Sequence, residues 1–114
     1  MAAGDAQRVW FPEMIERLRF QWHQGMSFDA IIDLRDELAY KKGHIITAKH
    51  MLPTQLLADT KIAQDKPILL ACQSGYQSPG VGRQLRQKGF QKVYYLAGGI
   101  ENWQSAGLLL TKGK

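Results

Sequence analysis

The residues best placed to do chemistry are Cys72 and the six that follow it, Gln73-Ser74-Gly75-Tyr76-Gln77-Ser78. Cys72 is the only cysteine in the 114 residues. It closes an apolar run, Ile68-Leu69-Leu70-Ala71, which is preceded by Lys66-Pro67 and reads as a buried strand. Beyond the loop, Ser78-Pro79 reads as a helix start, with the serine as N-cap and the proline at the first helical position. A strand end, a tight polar loop and a helix N-terminus turn several backbone N–H groups and a positive dipole end towards one point. An anion is stabilised there, and the thiolate, the reactive form of cysteine, is an anion. A lone cysteine is more often a small buried hydrophobe. The place of Cys72, at the end of the apolar run and not within it, favours the nucleophile.

The elements that must hold this loop follow from patterning. Phe28 to Leu34 reads as an interior parallel strand, apolar on both faces, with Asp33 and Arg35 at its C-terminal edge, where open α/β sheets gather functional groups. Asp36 to Lys42 reads as a short helix closed by Gly43, and Ile45 to Leu52 contains a short strand. Pro53-Thr54 then introduces a helix carrying Leu56, Leu57 and Ile62. After the loop, a helix from about Pro79 to Lys88 sets Val81 and Leu85 on one face, with Gly89 as its cap. Val93 to Leu96 is the last strand. Gly98-Gly99 allow backbone conformations closed to other residues, and a terminal helix from Ile100 to Ala106 is anchored by Trp103. Upstream, Arg8 to Phe11 gives a first strand. A helix from Pro12 to Gly25 repeats Met14, Ile15, Leu18 and Trp22 at helical spacing. Strands alternating with helices in this way predict a parallel sheet covered on both faces.

Four stretches together resemble the rhodanese sulfurtransferase family. Cys72 to Ser78 is similar to its active-site loop, C-x-x-G-x-R-[ST]. Asp33-Leu34-Arg35 followed by Tyr40-Lys41-Lys42-Gly43-His44-Ile45 resembles D-[VL]-R…[YF]-x-x-G-H-I. Val93 to Trp103 resembles V-x-x-L-x-G-G-I-x-x-W. The likeness is strongest over residues 29–107 of a chain read as one domain, 1–114. It implies a rhodanese-like α/β fold, a five-stranded, mainly parallel sheet with helices on both faces and the active loop at the C-terminal end of the central strand. One position departs from the pattern: Gln77 stands where the family has its loop arginine.

The resemblance also implies the chemistry. Cys72 takes the sulfane sulfur of thiosulfate or of a persulfide or polysulfide, becomes a persulfide, and passes that sulfur to a thiol or other nucleophile, a two-step covalent transfer. Gln73, Ser74, Gly75, Tyr76, Gln77 and Ser78 would bind the substrate through loop amides and hydroxyls, with Gly75 permitting the tight curl and Tyr76 either walling the mouth or standing as an exposed loop residue with no chemical part. In the same resemblance Asp33 and Arg35 hold neighbouring loops, and His44 fixes its own loop without serving as a base. The alternative is a catalytically weak binding or sulfur-carrier module that acts through a protein partner or protein sulfur acceptor. A cysteine phosphatase or arsenate reductase would need Cys-x5-Arg, and the sixth residue after Cys72 is Ser78, so the guanidinium that grips a tetrahedral oxyanion is missing.

Composition bounds the rest. Hydrophobic residues at 45% fit a folded domain, and 114 residues support one core, not two. One cysteine excludes an internal disulfide and a multi-cysteine zinc site, and fits a reducing cytoplasm. His23, His44 and His50 form no cluster with metal-ligand spacing, so neither metal nor cofactor is expected. No segment approaches the ~20 apolar residues that span a bilayer. The formal charge of +5 favours anionic partners, but its basic residues are scattered, which speaks for small sulfur anions and against nucleic acid.

Overall fold

In the computed structural model, the described residues are 7–9, 30–46, 48–59, 62, 64–107 and 110–113. The helix expected from Pro12 to Gly25, with His23, lies outside them. Five strands form one sheet: β1 (Gln7–Val9), β2 (Ala30–Asp33), β3 (Lys49–His50), β4 (Ile68–Ala71) and β5 (Val93–Leu96), in the order β1-β5-β4-β2-β3. Every pairing is parallel. The two edge strands are short, three and two residues. Four helices are described: α1 (Glu37–Lys42), α2 (Pro53–Ala58), α3 (Gln77–Gln87) and α4 (Gly99–Ser105).

The period-two alternation of the central strands divides the core. Ile31, Leu69, Ala71 and Leu96 pack with Tyr40 of α1 and with Ile100 and Trp103 of α4. Ile32, Ile68, Leu70, Cys72 and Val93 pack on the other face with Leu56 of α2 and Val81 and Leu85 of α3. All four residues of β4 are buried, as their continuous apolar run requires of an interior parallel strand. From β2 the chain winds outwards to β3; from β4 it winds the other way to β5. The C-terminal ends of β2 and β4 therefore flank the point where the winding reverses, the crevice at which open α/β sheets bind ligands.

The short strand expected within Ile45 to Leu52 is Lys49–His50, reached after a turn in which the Ala48 N–H bonds the Ile45 carbonyl at 2.9 Å. Two helix boundaries differ from the sequence reading by more than a residue. The helix α2 ends at Ala58, and Ile62 lies beyond it, its N–H held by Asp59 Oδ1 at 3.2 Å. The helix α3 begins at Gln77, so Ser78 is not its N-cap and Pro79 is the third helical residue. The physical reason is the inward stripe of the helix, which runs Ser78, Val81, Gly82, Leu85 and therefore starts at Ser78 itself. Tyr76 takes the cap position with no side-chain hydrogen bond.

Candidate active site

Cys72 follows β4 directly and keeps the facing of Leu70, so its side chain points to the α3 side and is 2% exposed. The thiol is thus the floor of the loop, deeper than its place at the end of the apolar run suggests. A buried thiol meets only a reagent small enough to enter the loop or able to displace its rim. Gln73 and Gln77 are exposed, Ser74 and Gly75 half-buried, and Ser78 wholly buried. Tyr76 is 89% exposed and stands out from the loop instead of walling it.

The loop is clamped by the turn between β5 and α4. Ile100 N–H donates to the Cys72 carbonyl at 2.8 Å and Glu101 N–H to the Gln73 carbonyl at 3.0 Å, so first-turn donors of α4 are spent on the loop. The approach is close enough to demand glycine twice. At Gly99, φ is +65° and a Cβ would lie 2.3 Å from the Cys72 carbonyl oxygen; at Gly75, φ is +88° and a Cβ would lie 2.7 Å from Gly98 N. The glycine pair was visible in the sequence as a conformational signal. That it grips the Cys72 loop was not.

What the loop leaves open is as specific as what it closes. Among the described residues, the N–H groups of Gln73 to Tyr76 have no backbone acceptor. Those of Gln77 and Ser78 belong to the first helical turn, which has no intrahelical partners to offer. The Ser78 Oγ is buried with no hydrogen-bond partner among the described residues. A buried unmade hydrogen bond costs about 1–3 kcal/mol, so a hydroxyl kept in this state calls for an explanation. No residue from Gln73 to Ser78 carries a charge.

The end of β2 presents the opposite arrangement. Asp33 is 1% exposed, and its carboxylate accepts from Arg35 N–H at 3.0 Å, Nε at 3.0 Å and Nη2 at 2.7 Å. Arg35 Nη2 also donates to the Gly43 carbonyl at 2.5 Å, tying β2 to the end of α1. His50 Nε2 bonds the Arg35 carbonyl at 2.6 Å. The buried His44 bonds the Tyr40 carbonyl through Nδ1 at 2.7 Å and stacks on the Tyr40 ring at 3.8 Å, the loop-fixing place that the resemblance implies. Tyr40 donates its hydroxyl to the Ala48 carbonyl at 2.5 Å, and burial, with the Asp33 carboxylate adding to it, pushes its phenol above the ordinary 10.0. Sequence reasoning missed the link between the two strand ends. Gln73 Oε1 accepts from Arg35 Nη1 at 3.5 Å and its Nε2 donates to Glu101 Oε2 at 3.4 Å, an exposed bridge across the crevice. Among the described residues there is no group of three or more His, Cys, Asp or Glu able to hold a metal.

A parallel sheet in this order, with a single cysteine at the end of its central strand in a glycine-clamped loop, agrees with comparison to known proteins. The model of the rhodanese-like domain matches residues 10–106, and the chain belongs to that family. It is 37% identical over 86 residues to the thiosulfate sulfurtransferase GlpE of Coxiella burnetii, covering 74% of this chain and 80% of that one. Among solved structures it is similar to the rhodanese-like domain of the Alr3790 protein from Anabaena sp., with a TM-score of 0.73, 26% identity and coverage of 85% and 75% of the two chains. The BH2092 protein of Bacillus halodurans gives a TM-score of 0.72 at 25% identity, covering 94% of this chain and 77% of that one.

Proposed function

We propose that the chain is a single-domain sulfurtransferase of the cytoplasm in which Cys72 carries a sulfane sulfur from thiosulfate or a persulfide donor to a thiol. The observation that supports it is the loop's unmet capacity for an anion: beside the only cysteine, the loop N–H groups and the Ser78 hydroxyl have no partner among the described residues. In the first half-reaction the Cys72 thiolate attacks the outer sulfur of the donor. An Sγ–S bond forms, the donor's S–S bond breaks, and its electron pair leaves on sulfite or on a thiolate. In the second, an acceptor thiolate bonds that outer sulfur, the Sγ–S bond breaks, and the pair returns to Sγ. Protons exchange with water and no external oxidant or reductant is consumed. Ser78 Oγ and the loop amides donate to the anionic outer sulfur, preformed donors where charge resides. The named activity of the Coxiella relative supports the same reaction.

A second reading, a carrier that hands its sulfur to a protein acceptor, draws on the 89% exposure of Tyr76 beside the loop. Incubation with thiosulfate and a small thiol, with sulfite release followed, tests the primary reading. Turnover is expected in the wild type and lost in Cys72→Ser with an unchanged melting temperature. Turnover that survives this substitution, or is absent with every sulfane donor, overturns it.

A further inference from the structure

Although the basic residues are scattered along the chain, the acidic ones are not. Between Asp65 and Glu101 there is no Asp or Glu, while Lys66, Arg83, Arg86, Lys88 and Lys92 lie there. The other ten basic residues are matched by the ten acidic ones, so the whole formal charge of +5 belongs to the segment that carries β4, the Cys72 loop and α3. The fold gathers most of it at one end. Gln64 accepts the Gln91 N–H through its carbonyl at 2.9 Å and donates through Nε2 to the Lys88 carbonyl at 3.2 Å; Ile68 N–H donates to the Lys92 carbonyl at 3.0 Å. These bonds bring the exposed Lys66, Lys88 and Lys92 together at the C-terminal end of α3, with Asp65 beside Lys66. The opposite end of the same helix is the Cys72 loop, on the face to which the thiol points, and Tyr76, 89% exposed, directly precedes the first helical residue. The eleven residues of α3 set the two ends about 16 Å apart. Along the exposed side between them stand Gln77, Gly80, Arg83, Gln84 and Gln87, none of them acidic.

We infer that the outer surface of α3 is the docking site of a protein sulfur acceptor, whose acidic residues rest on the lysines while its thiol reaches the Cys72 loop past Tyr76. Opposite charges steer such an encounter and fix its register. A small thiol does not touch both ends of the helix at once, so charge at this distance is contacted only by an acceptor of macromolecular size. A nucleic acid also brings negative charge, but a nucleobase needs an activating co-reactant before it accepts sulfur. A thiolate needs none: it bonds the outer sulfur of the Cys72 persulfide, the Sγ–S bond breaks, and the pair returns to Sγ. The inference rests on the sulfurtransferase reading and names the class of acceptor.

The test is single-turnover discharge of the preformed Cys72 persulfide by two synthetic peptides. Each has one cysteine, a Gly-Ser spacer of about five residues, enough to span the helix when extended, and then a short run of either Glu or Gln. In the wild type the Glu peptide is expected to react about three- to tenfold faster, the range of several partly screened charge contacts. In Lys66→Gln/Lys88→Gln/Lys92→Gln, and in the wild type at high salt, the ratio should fall to about one. Because Lys88 also donates to the Leu57 carbonyl, Lys66→Gln/Lys92→Gln serves as a second variant and should lose about half of the preference. Discharge by 2-mercaptoethanol should be unchanged in both variants, since neither alters the loop. An equal fall in Lys41→Gln/Lys42→Gln, which takes the same charge from α1 on the opposite face, would reduce the effect to net charge and overturn the docking site. Normal loading with a wild-type ratio of one would overturn it as well. Stronger inhibition by an oligothymidylate than by a thiol-free Glu peptide would assign the surface to nucleic acid and overturn it too. Failure to load the wild type overturns the sulfurtransferase reading, and the docking site with it.

Discussion

The two strand ends that flank the crevice use their polar groups in opposite ways. At the end of β2, Asp33, Arg35, His44 and His50 consume one another's hydrogen bonds or those of nearby backbone, and little is left over. At the end of β4, six uncharged residues follow the thiol, and the loop amides and the Ser78 hydroxyl have no partner among the described residues. A satisfied network adds to stability; an unsatisfied one costs stability and is explained by what it binds. We therefore read the charged corner as the frame and propose the neutral loop as the site, although charge alone would have suggested the reverse.

Breaking the frame should give the largest effect. Asp33→Ala leaves the Arg35 guanidinium, only 8% exposed in its side chain, without its counter-charge. Removing one partner of a buried pair costs about 3–5 kcal/mol. Chemical denaturation should show that loss, while the fraction that remains folded still takes up one sulfur. Full stability would mean that the corner is no frame.

Ser78→Ala sharpens the contrast from the other side. Removing a hydroxyl that has no partner should leave stability unchanged or raise it by about 1 kcal/mol. Loss of a donor to the anionic sulfur should slow transfer about ten- to a hundredfold. A destabilised variant with normal transfer would place Ser78 in the frame.

Gln77→Arg adds to the loop the charge it lacks. Gln77 is exposed at the first position of α3, so the substitution meets no packing barrier. Because hydrogen bonds to charged groups are worth about 1.5–3 kcal/mol, kcat/KM for the dianion thiosulfate should rise by about tenfold, and for a neutral persulfide donor much less. Equal changes for both donors would show that charge at this position does not limit the reaction.

The smallest effect belongs to Tyr40 in the frame. Its raised phenol stays protonated in the folded state at a pH where the unfolded chain has lost that proton. The folded state then binds more protons, so stability is fully present below pH 10.0 and falls as pH rises through the folded value, by at most about 1.4 kcal/mol per pH unit. Tyr40→Phe should flatten this alkaline limb and cost about 1 kcal/mol at neutral pH through the bond to Ala48. Denaturation curves at several alkaline pH values would show an unchanged slope if another group is responsible.

Much of this was legible in the sequence, and the reasons are physical. Ile68 to Ala71 and Val93 to Leu96 are strands because each is a short apolar run bounded by turn residues, and both were read to the residue. Asp36 and Gly43 bracket α1 through a side-chain cap and a closing N–H, signals that single residues carry. The start of α3 was misread because Ser-Pro is a capping signal that a buried stripe beginning at Ser78 overrides. The Arg35–Gln73–Glu101 bridge was not legible, since it joins three elements far apart in the chain. Nor was the depth of Cys72, which depends on the helix packed over it.

On the proposed reading the neutral loop, through Cys72, holds a sulfane sulfur. Intact-protein mass spectrometry after exposure to polysulfide, followed by peptide mapping, detects that sulfur on the protein itself. The expected result is a single added sulfur atom, located on Cys72, removed by a thiol reductant and absent from Cys72→Ser. A folded wild-type protein that gains no sulfur, or gains it with equal yield in Cys72→Ser, would contradict the account.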